Sequence, residues 1–532
     1  MNKHYFKQTI VPCVLLSAMA GVFTGVLIFI FKSVSKLIIE KSFEIYAFVR
    51  GNVIYLPLLF VGALLVGLVS YAVVHYIPGC RGGGIPTAVA ILRGHLPFKW
   101  LRTILGTFAS SIVTFAMGVP LGNEGPSVQM GCAVGRGTVN AIGGKNKAWD
   151  RYVMTGSASG GFAAATFAPL SGILFAFEEV HRKFSPILFM SVVSSVAASF
   201  TITEFLCEVF GTEKALFHIS LKEVLPLKYI LIVIVVGAVA GAFAIFFARL
   251  YRVTDRIMRG VLAKVPRYIK IVSIFFITSV LGFFSPDFIG SGHDVICEIM
   301  CSTAPVWYLL LIYLIVRLLL LLFANTAGIT GGIFIPSLTF GAMLGSLMAK
   351  VMISLDFLPE KYAPVLVVVA MTAFLAASSK IPMTAIAFSA EAMTGAGNIM
   401  PIILGTAVAY IIVEIAGAES LTDSVIESKI HTRTEGKEHF VIDAHFTVSS
   451  DSFAVGKELR DILLPPNCVI VSMEKKELYA TLLNDGDILH LRYKTYDHQE
   501  TYAYLVAIFG KQPQSKIQSV HSGDENYALP EI

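Results

Sequence analysis

The sequence predicts an all-α polytopic membrane protein, built of two related halves with broken helices and followed by a small α+β domain. Three observations predict it. Of 532 residues 55% are hydrophobic and only 14% charged, and the mean hydropathy of +0.73 is far above that of a soluble chain. The pattern G-x-x-x-P-S-x-x-x-G-x-x-x-G runs from Gly122 to Gly135 and recurs from Gly332 to Gly345. Composition changes near Ile430, where residues 431–438 turn polar and the remainder alternates like a soluble α/β unit.

Runs free of charge and long enough to span or nearly span a bilayer are Thr9–Phe31, Val53–Val74, Tyr229–Ala248, Tyr362–Ser379 and Ala392–Val413. The run Pro126–Gly144 is Gly-rich and reads as shorter or interrupted. Apolar character continues past Ala18-Met-Ala20 to Phe31, so the first run is a retained helix and not a cleaved signal. Lys3 and Lys7 before it favour a cytosolic N-terminus. A net charge of +5 is too small to argue for nucleic acid. The seven cysteines form no C-x-x-C pair, so neither a disulfide framework nor a metal site is expected.

The halves divide near residue 220. Besides the opening pattern, Phe162 to Glu178 is echoed by Phe374 to Glu391, with nine positions between Pro169 and Glu178 and nine between Pro382 and Glu391. The offsets, 210 residues from Gly122 to Gly332 and 213 from Pro169 to Pro382, agree within a small insertion. Periodicity does not distinguish parallel from inverted halves. Paired broken helices in a duplicated membrane chain point to an ion site between them.

The chemistry follows from helix starts. A Gly-containing loop running into Pro leaves unpaired N–H groups at the positive end of a helix, and such an end attracts anions. Gly122, Asn123, Gly125 and Pro126 form one start, and Gly332, Ile333, Phe334, Ile335 and Pro336 the matching one. A third loop, Gly82-Gly83-Gly84-Ile85-Pro86, has three glycines that permit close approach of a bare ion; the plain alternative is a turn between helices. Glu124 lies between two glycines at the first start, where a carboxylate competes with an anion and leaves on protonation. Its plain reading is a static cap, but Phe334 stands at the equivalent place in the second copy and cannot cap itself. Glu178-Glu179 ends the helix begun at Pro169; one of the pair suffices to pass protons, and the plain reading is a polar helix end.

The three loops, in this order and spacing, resemble the signature loops of the CLC chloride channel and transporter family, with similarity over most of residues 10–430. The resemblance implies a homodimer with one anion pathway per subunit, each subunit an antiparallel pair of halves. It implies that Glu124 is the gating glutamate, that Glu179 is the internal proton-transfer glutamate, and that Ile333 and Phe334 offer anion-binding amides. Three positions depart from the family: Gly83 stands where Ser is usual, Thr422 where an anion-coordinating Tyr is usual, and Asn123 where Arg is common. Each missing side-chain hydrogen bond costs the central ion about 1 kcal/mol.

From about 437 to 510 the chain reads strand Phe440–Val448, helix Phe453–Leu463, strand Cys468–Met473, turn 474–477, strand Ile488–Tyr493 and helix His498–Ile508, with Asn484–Asp487 a turn and 511–532 disordered. Its order of Phe440–Val448, Val455–Leu459 and Gly486-Asp487 resembles the C-terminal lobe of RCK regulators rather than the paired CBS modules of many CLC relatives. That implies a cytosolic module that senses a small ligand or serves dimerisation. The expected function is a chloride/proton antiporter in the cell membrane with both termini cytosolic, no cofactor and no enzymatic activity. The alternatives are a passive gated chloride channel, an exchanger for fluoride or nitrate, or a membrane sensor whose output is the tail.

Overall fold

The structure, a computed structural model, describes residues 9–82, 84–142, 147–217, 219, 221, 223–301, 305–394, 396–434, 440–474, 482–495, 498–510 and 517–522. Gly83, residues 475–477 of the expected turn and most of the C-terminal end lie outside them.

The first half comprises α1 (Val11–Gly51), α2 (Leu56–Tyr76), α3 (Ile85–Leu92), α4 (Trp100–Ala116), α5 (Glu124–Ile142), α6 (Asp150–Thr166), α7 (Pro169–Phe175) and α8 (Pro186–Phe210). The second repeats it as α9 (Ile230–Arg259), α10 (Arg267–Phe284), α11 (His293–Met300), α12 (Trp307–Ala327), α13 (Phe334–Ser354), α14 (Ala363–Ser379), α15 (Pro382–Ser389) and α16 (Ile399–Ile415). Detail repeats too. Helices α6 and α14 end on left-handed residues, Phe167 at φ 54° and Lys380 at φ 59°, and α7 and α15 run into π turns at Ala176–Val180 and Ala390–Thr394. Among the described residues eight helices are long and apolar enough to cross a membrane.

Two expected spans change. All but the first two residues of Thr9–Phe31 lie within the 41-residue α1, which at 1.5 Å per residue is about 60 Å long and must tilt or protrude beyond a core of about 30 Å. Ala392–Val413 is not one helix: the π turn ends at Thr394, a 3₁₀ turn covers Ala396–Asn398, and α16 starts afresh at Ile399. A hydropathy run cannot register such a break, because Met393, Ile399 and Met400 are as apolar as a continuous helix would need.

The trailing glycines of the repeated pattern serve packing. A Cβ on Gly135 would stand 2.6 Å from Met154 Cα on α6, and one on Gly345 would stand 2.8 Å from Val367 Cα on α14. Small residues let α5 and α13 lie backbone to backbone on α6, buried throughout, and on α14, buried from Val365 to Ser378. The nine-residue Pro-to-Glu spacing has its cause in contacts between the halves. Glu178 accepts from Met383 N–H (2.8 Å) and Thr384 N–H (2.7 Å) at the start of α15. Glu391 accepts from Leu170 N–H (2.8 Å) and Ser171 N–H (2.9 Å) at the start of α7. Each half thus caps the short helix of the other. Glu178→Ala and Glu391→Ala are each expected to lower stability by about 1–2 kcal/mol, as loss of a charged cap does. Thermal unfolding in detergent measures it, and an unchanged melting temperature in both variants would refute the cap.

After α16, helix α17 (Leu421–Thr434) leads to the small domain, whose strands β1 (Phe440–Thr447), β2 (Cys468–Met473), β3 (Ile488–Thr495) and β4 (Ile517–Ser522) form one sheet in the order β2-β3-β1-β4. All three pairings are antiparallel, and α18 (His498–Phe509) covers the sheet through Leu505 and Phe509. The expected turn is present, with Asp487 N–H on Asn484 C=O at 3.2 Å. The expected helix Phe453–Leu463 does not form. Gly456 takes φ 73°, its N–H goes to Leu483 C=O, and a 3₁₀ turn at Leu459–Asp461 is all that is helical there. Its apolar residues face the membrane part instead: Phe453 meets Trp149 edge-on at 5.0 Å, while Leu463 C=O accepts from Arg151 at 3.2 Å and Ile462 C=O from Lys183 at 3.0 Å. The expectation of disorder over 511–532 also fails for residues 517–522, which pair with β1 as β4. Six residues of mixed polarity carry too weak a pattern to announce a strand that a partner's free edge recruits.

Candidate functional site

The loops before α3, α5 and α13 meet at one point. In the first, Gly82 N–H donates to Gly328 C=O at 3.1 Å, and Thr330 Oγ1 donates to Cys80 C=O at 2.7 Å while accepting from Ser110 Oγ at 2.7 Å. Gln129, one turn into α5, uses its amide both ways, donating to Gly79 C=O at 2.6 Å and accepting from Gly84 N–H at 3.2 Å. The second and third loops are joined by a reciprocal pair of bonds, Gly122 N–H to Gly332 C=O (2.8 Å) and Gly332 N–H to Gly122 C=O (2.7 Å). This bridge is antiparallel, so α5 and α13 leave it in opposite senses, the relation of inverted halves. At Gly125 all three loops touch: a Cβ there would stand 2.6 Å from Gly84 Cα, 2.8 Å from Gly332 Cα and 3.2 Å from Ile85 N.

The helix starts present amides to this point. The first i to i−4 bonds recorded are Ala88 to Gly84 in α3 (3.1 Å), Ser127 to Asn123 in α5 (3.1 Å) and Ser337 to Ile333 in α13 (3.0 Å). The N–H groups of Ile85, Glu124, Gly125, Phe334 and Ile335 therefore fall outside the helical ladders, and Pro86, Pro126 and Pro336 have none to leave unpaired. Both Ser residues of the repeated pattern turn back on their own helices, Ser127 Oγ to Asn123 C=O at 2.8 Å and Ser337 Oγ to Ile333 C=O at 2.7 Å. What remains for a ligand is backbone, at the positive ends of three helices.

The copies differ at one side chain. Glu124 is 1% exposed, and its Oε2 has no hydrogen-bond partner among the described residues. That oxygen lies against Gly122, where any Cβ would collide with it. A buried carboxylate with an orphan oxygen is costly while ionised, which suits a group that takes up a proton or swings away. Phe334 is instead fixed, edge-on to Phe162 at 5.1 Å and to Phe388 at 5.0 Å.

Glu179, 4% exposed, lies on the first π turn. Its Oε1 accepts from Thr422 Oγ1 at 2.6 Å, and its Oε2 has no partner among the described residues. Arg93, following α3, holds the turn: Nε donates to Val180 C=O and Nη2 to Glu179 C=O, both at 2.8 Å, and Nη1 pairs with Asp423 at 3.0 Å. Asp423 is also paired with Arg182 and completes a cap with Ser420, whose Oγ accepts from Asp423 N–H at 3.0 Å. Burial works to raise the Asp423 carboxyl, but the bonds from Arg182 and Ser420 hold it below the usual carboxylate range.

Thr422 stands apart from the expected anion ligands. A hydroxyl has one hydrogen, and that hydrogen goes to Glu179; only when Glu179 is protonated and donates in turn does Thr422 have it free for an anion. Of the expected site residues, Gly82, Gly84, Ile85, Gly122, Gly125 and Ile333–Pro336 come together in space, while Gly83 falls outside the described residues. Gln129, Arg93, Thr330 and Asp423 were not foreseen. A lone amide in an Ala- and Gly-rich helix is a signal for Gln129, whereas the Arg93–Asp423 pair joins residues 330 apart. Among the described residues no cluster of His, Cys, Asp and Glu could hold a metal ion.

Residues 62–414 match the family described as voltage gated chloride channel. The H(+)/Cl(-) exchange transporter ClcA of Klebsiella pneumoniae is 27% identical over 374 residues, covering 70% of this chain and 79% of that protein. The same-named protein of Citrobacter koseri is 26% identical over 375 residues, covering 70% and 78%. Among solved structures, a slow cyanobacterial Cl-/H+ antiporter superposes with a TM-score of 0.72 at 22% identity, covering 80% of this chain and 99% of that one. A CLC-type fluoride/proton antiporter gives 0.63 at 20% identity, covering 76% and 95%. With its three converging loops and inverted halves, the chain belongs to the voltage gated chloride channel (CLC) family.

Proposed function

We propose that this protein is a secondary transporter that exchanges chloride for protons, with Glu124 as gate and proton acceptor and Glu179 as the internal proton donor and acceptor. The observation that carries this reading is the caged, buried Glu179. A passive channel needs a gate at Glu124 but has no task for a second buried carboxylate, bonded by Thr422 on a turn that Arg93 holds through its backbone. Protonated Glu124 leaves the amide cradle of Gly125, Ile333 and Phe334, an anion enters, and the proton passes by Glu179 to the side bearing α17. The relatives named for H(+)/Cl(-) exchange support the choice of ions.

The surface around α7 and α15 fits a homodimer. These helices have seven and eight residues, too short to span, and their Glu-capped starts at Leu170 and Met383 lie at the surface. Charged caps facing lipid are costly, so a second copy covering them is the favoured arrangement. On this reading residues 1–430 form the transport domain in the cell membrane with cytosolic termini, and the tail is an RCK-like regulatory module.

The test is flux through purified protein in liposomes. An imposed chloride gradient should drive protons uphill, and Glu179→Gln should cut proton movement by about 100-fold or more, the scale of losing a positioned acid–base group, while chloride still passes. Wild-type chloride flux with no proton movement would leave only the passive channel; fluoride or nitrate moving in place of chloride would change the substrate but keep the mechanism.

A further inference from the structure

On the side of α17 the structure forms an open-mouthed cavity of about 760 Å³ between the first loop, the C-terminal ends of α9 and α12, the start of α10, and α17. Its charge is one-sided. Arg81, Lys264, Arg267, Lys270, Lys429 and Arg433 line it, and Arg259 makes a seventh cation against the single carboxylate of Asp255. Asp255 is already engaged, paired with Arg259 and accepting from Ser428 Oγ at 2.9 Å. The other six have no carboxylate partner among the described residues.

These cations are held in place without being neutralised. Arg267 donates to Ala327 C=O at 3.2 and 3.3 Å, Lys270 to Met258 C=O at 3.1 Å, and Arg81 to Val74 C=O at 3.2 Å. Lys429 donates to Arg81 C=O at 2.8 Å and to Thr87 Oγ1, and Arg433 to His95 C=O. All these acceptors are neutral, and those of Ala327, Met258 and Val74 close helix ends. Burial, with the charges of Arg267 and Arg81 beside it, pushes the Lys429 ammonium down to about 7. The volume is that of a pocket for an organic ligand.

We infer that this cavity is a binding site for a soluble compact polyphosphate, such as the triphosphate of a nucleotide. Several phosphates satisfy clustered, pre-positioned lysines and arginines at once, with little ordering left to do, and half-buried Phe98 adds apolar surface at the cavity wall. Gly79, Gly82 and Thr87 of the first loop also line the cavity, so a bound polyphosphate closes that end of the anion path. This consequence rests on the transport reading; binding itself does not.

Calorimetry on the full chain in detergent, with metal-free tripolyphosphate, ATP and sulfate as probes, tests the site. Tripolyphosphate and ATP should bind saturably and at least ~100-fold more tightly than sulfate, as clustered charge predicts, and more weakly as salt rises. Lys264→Gln, an exposed rim residue, and Lys270→Gln should each weaken tripolyphosphate about 5–10-fold, the loss of one charge-assisted contact. In liposomes, tripolyphosphate on the α17 side should inhibit flux in wild type and less in both variants. Equal affinity for sulfate and tripolyphosphate would make the cavity a chloride antechamber and overturn the proposal. So would polyphosphate binding indifferent to both substitutions, or capture of phosphatidylinositol bisphosphate vesicles that tripolyphosphate does not compete away. Inhibition failing while binding holds would instead show that the cavity does not lie on the anion path.

Discussion

Glu124→Gln in proteoliposomes is expected to lose proton movement by on the order of 100-fold or more while chloride continues to pass. The carboxylate is fully buried with one oxygen unpartnered, among helix starts whose amides suit an anion. A neutral amide removes the proton acceptor and the negative charge that competes for those amides, so anion entry no longer waits on protonation. Chloride flux in this variant should also lose the pH dependence of the wild type. Paired recordings of chloride and proton flux check both points. Proton transport at the wild-type rate in Glu124→Gln would remove Glu124 from the pathway.

Gly125→Ala is expected to abolish anion flux, or cut it on the order of 100-fold, with a stability loss of about 1–3 kcal/mol from overpacking. The added methyl would stand 2.6 Å from Gly84 Cα and 2.8 Å from Gly332 Cα, against backbone that cannot rotate out of the way. One atom there forces three loops apart, and with them the amides of Ile85, Phe334 and Ile335. Gly62→Ala is the control, since a Cβ at Gly62 meets nothing within 4 Å. Equal flux in Gly125→Ala and Gly62→Ala would show that the loops need no close approach.

The two carboxylates were legible to different degrees. Glu124 announces itself because Phe334 occupies the same place in the second copy, and a repeat makes any difference visible. Glu178 and Glu179 both end one apolar helix, and along the chain only the resemblance to the family and the echo of Glu178 in Glu391 separate them. In space they point apart: Glu178 caps α15, whereas Glu179 turns inward to Thr422. Neighbouring residues of any helical turn point well apart, so the surroundings decide: the start of α15 meets Glu178, and α17 brings Thr422 to Glu179. The tail strands at Phe440, Cys468 and Ile488 follow from alternation, while the segment at Phe453 is irregular because Phe453 and Leu463 are buried against Trp149 and Tyr152, a contact no local pattern encodes.

By itself the sequence determined the membrane class, the duplication, the three loops and the singular place of Glu124, because these rest on local chemistry: apolar length, glycine and proline at helix starts, and one carboxylate without a counterpart. Only the tertiary structure decided that the three loops converge at Gly125, that each half caps the other through Glu178 and Glu391, and that the hydrogen of Thr422 goes to Glu179. It also gathered cations from the first loop, α10 and α17 around one cavity. These outcomes depend on distances between segments tens to hundreds of residues apart, which inverted pairing sets and which no window along the chain contains.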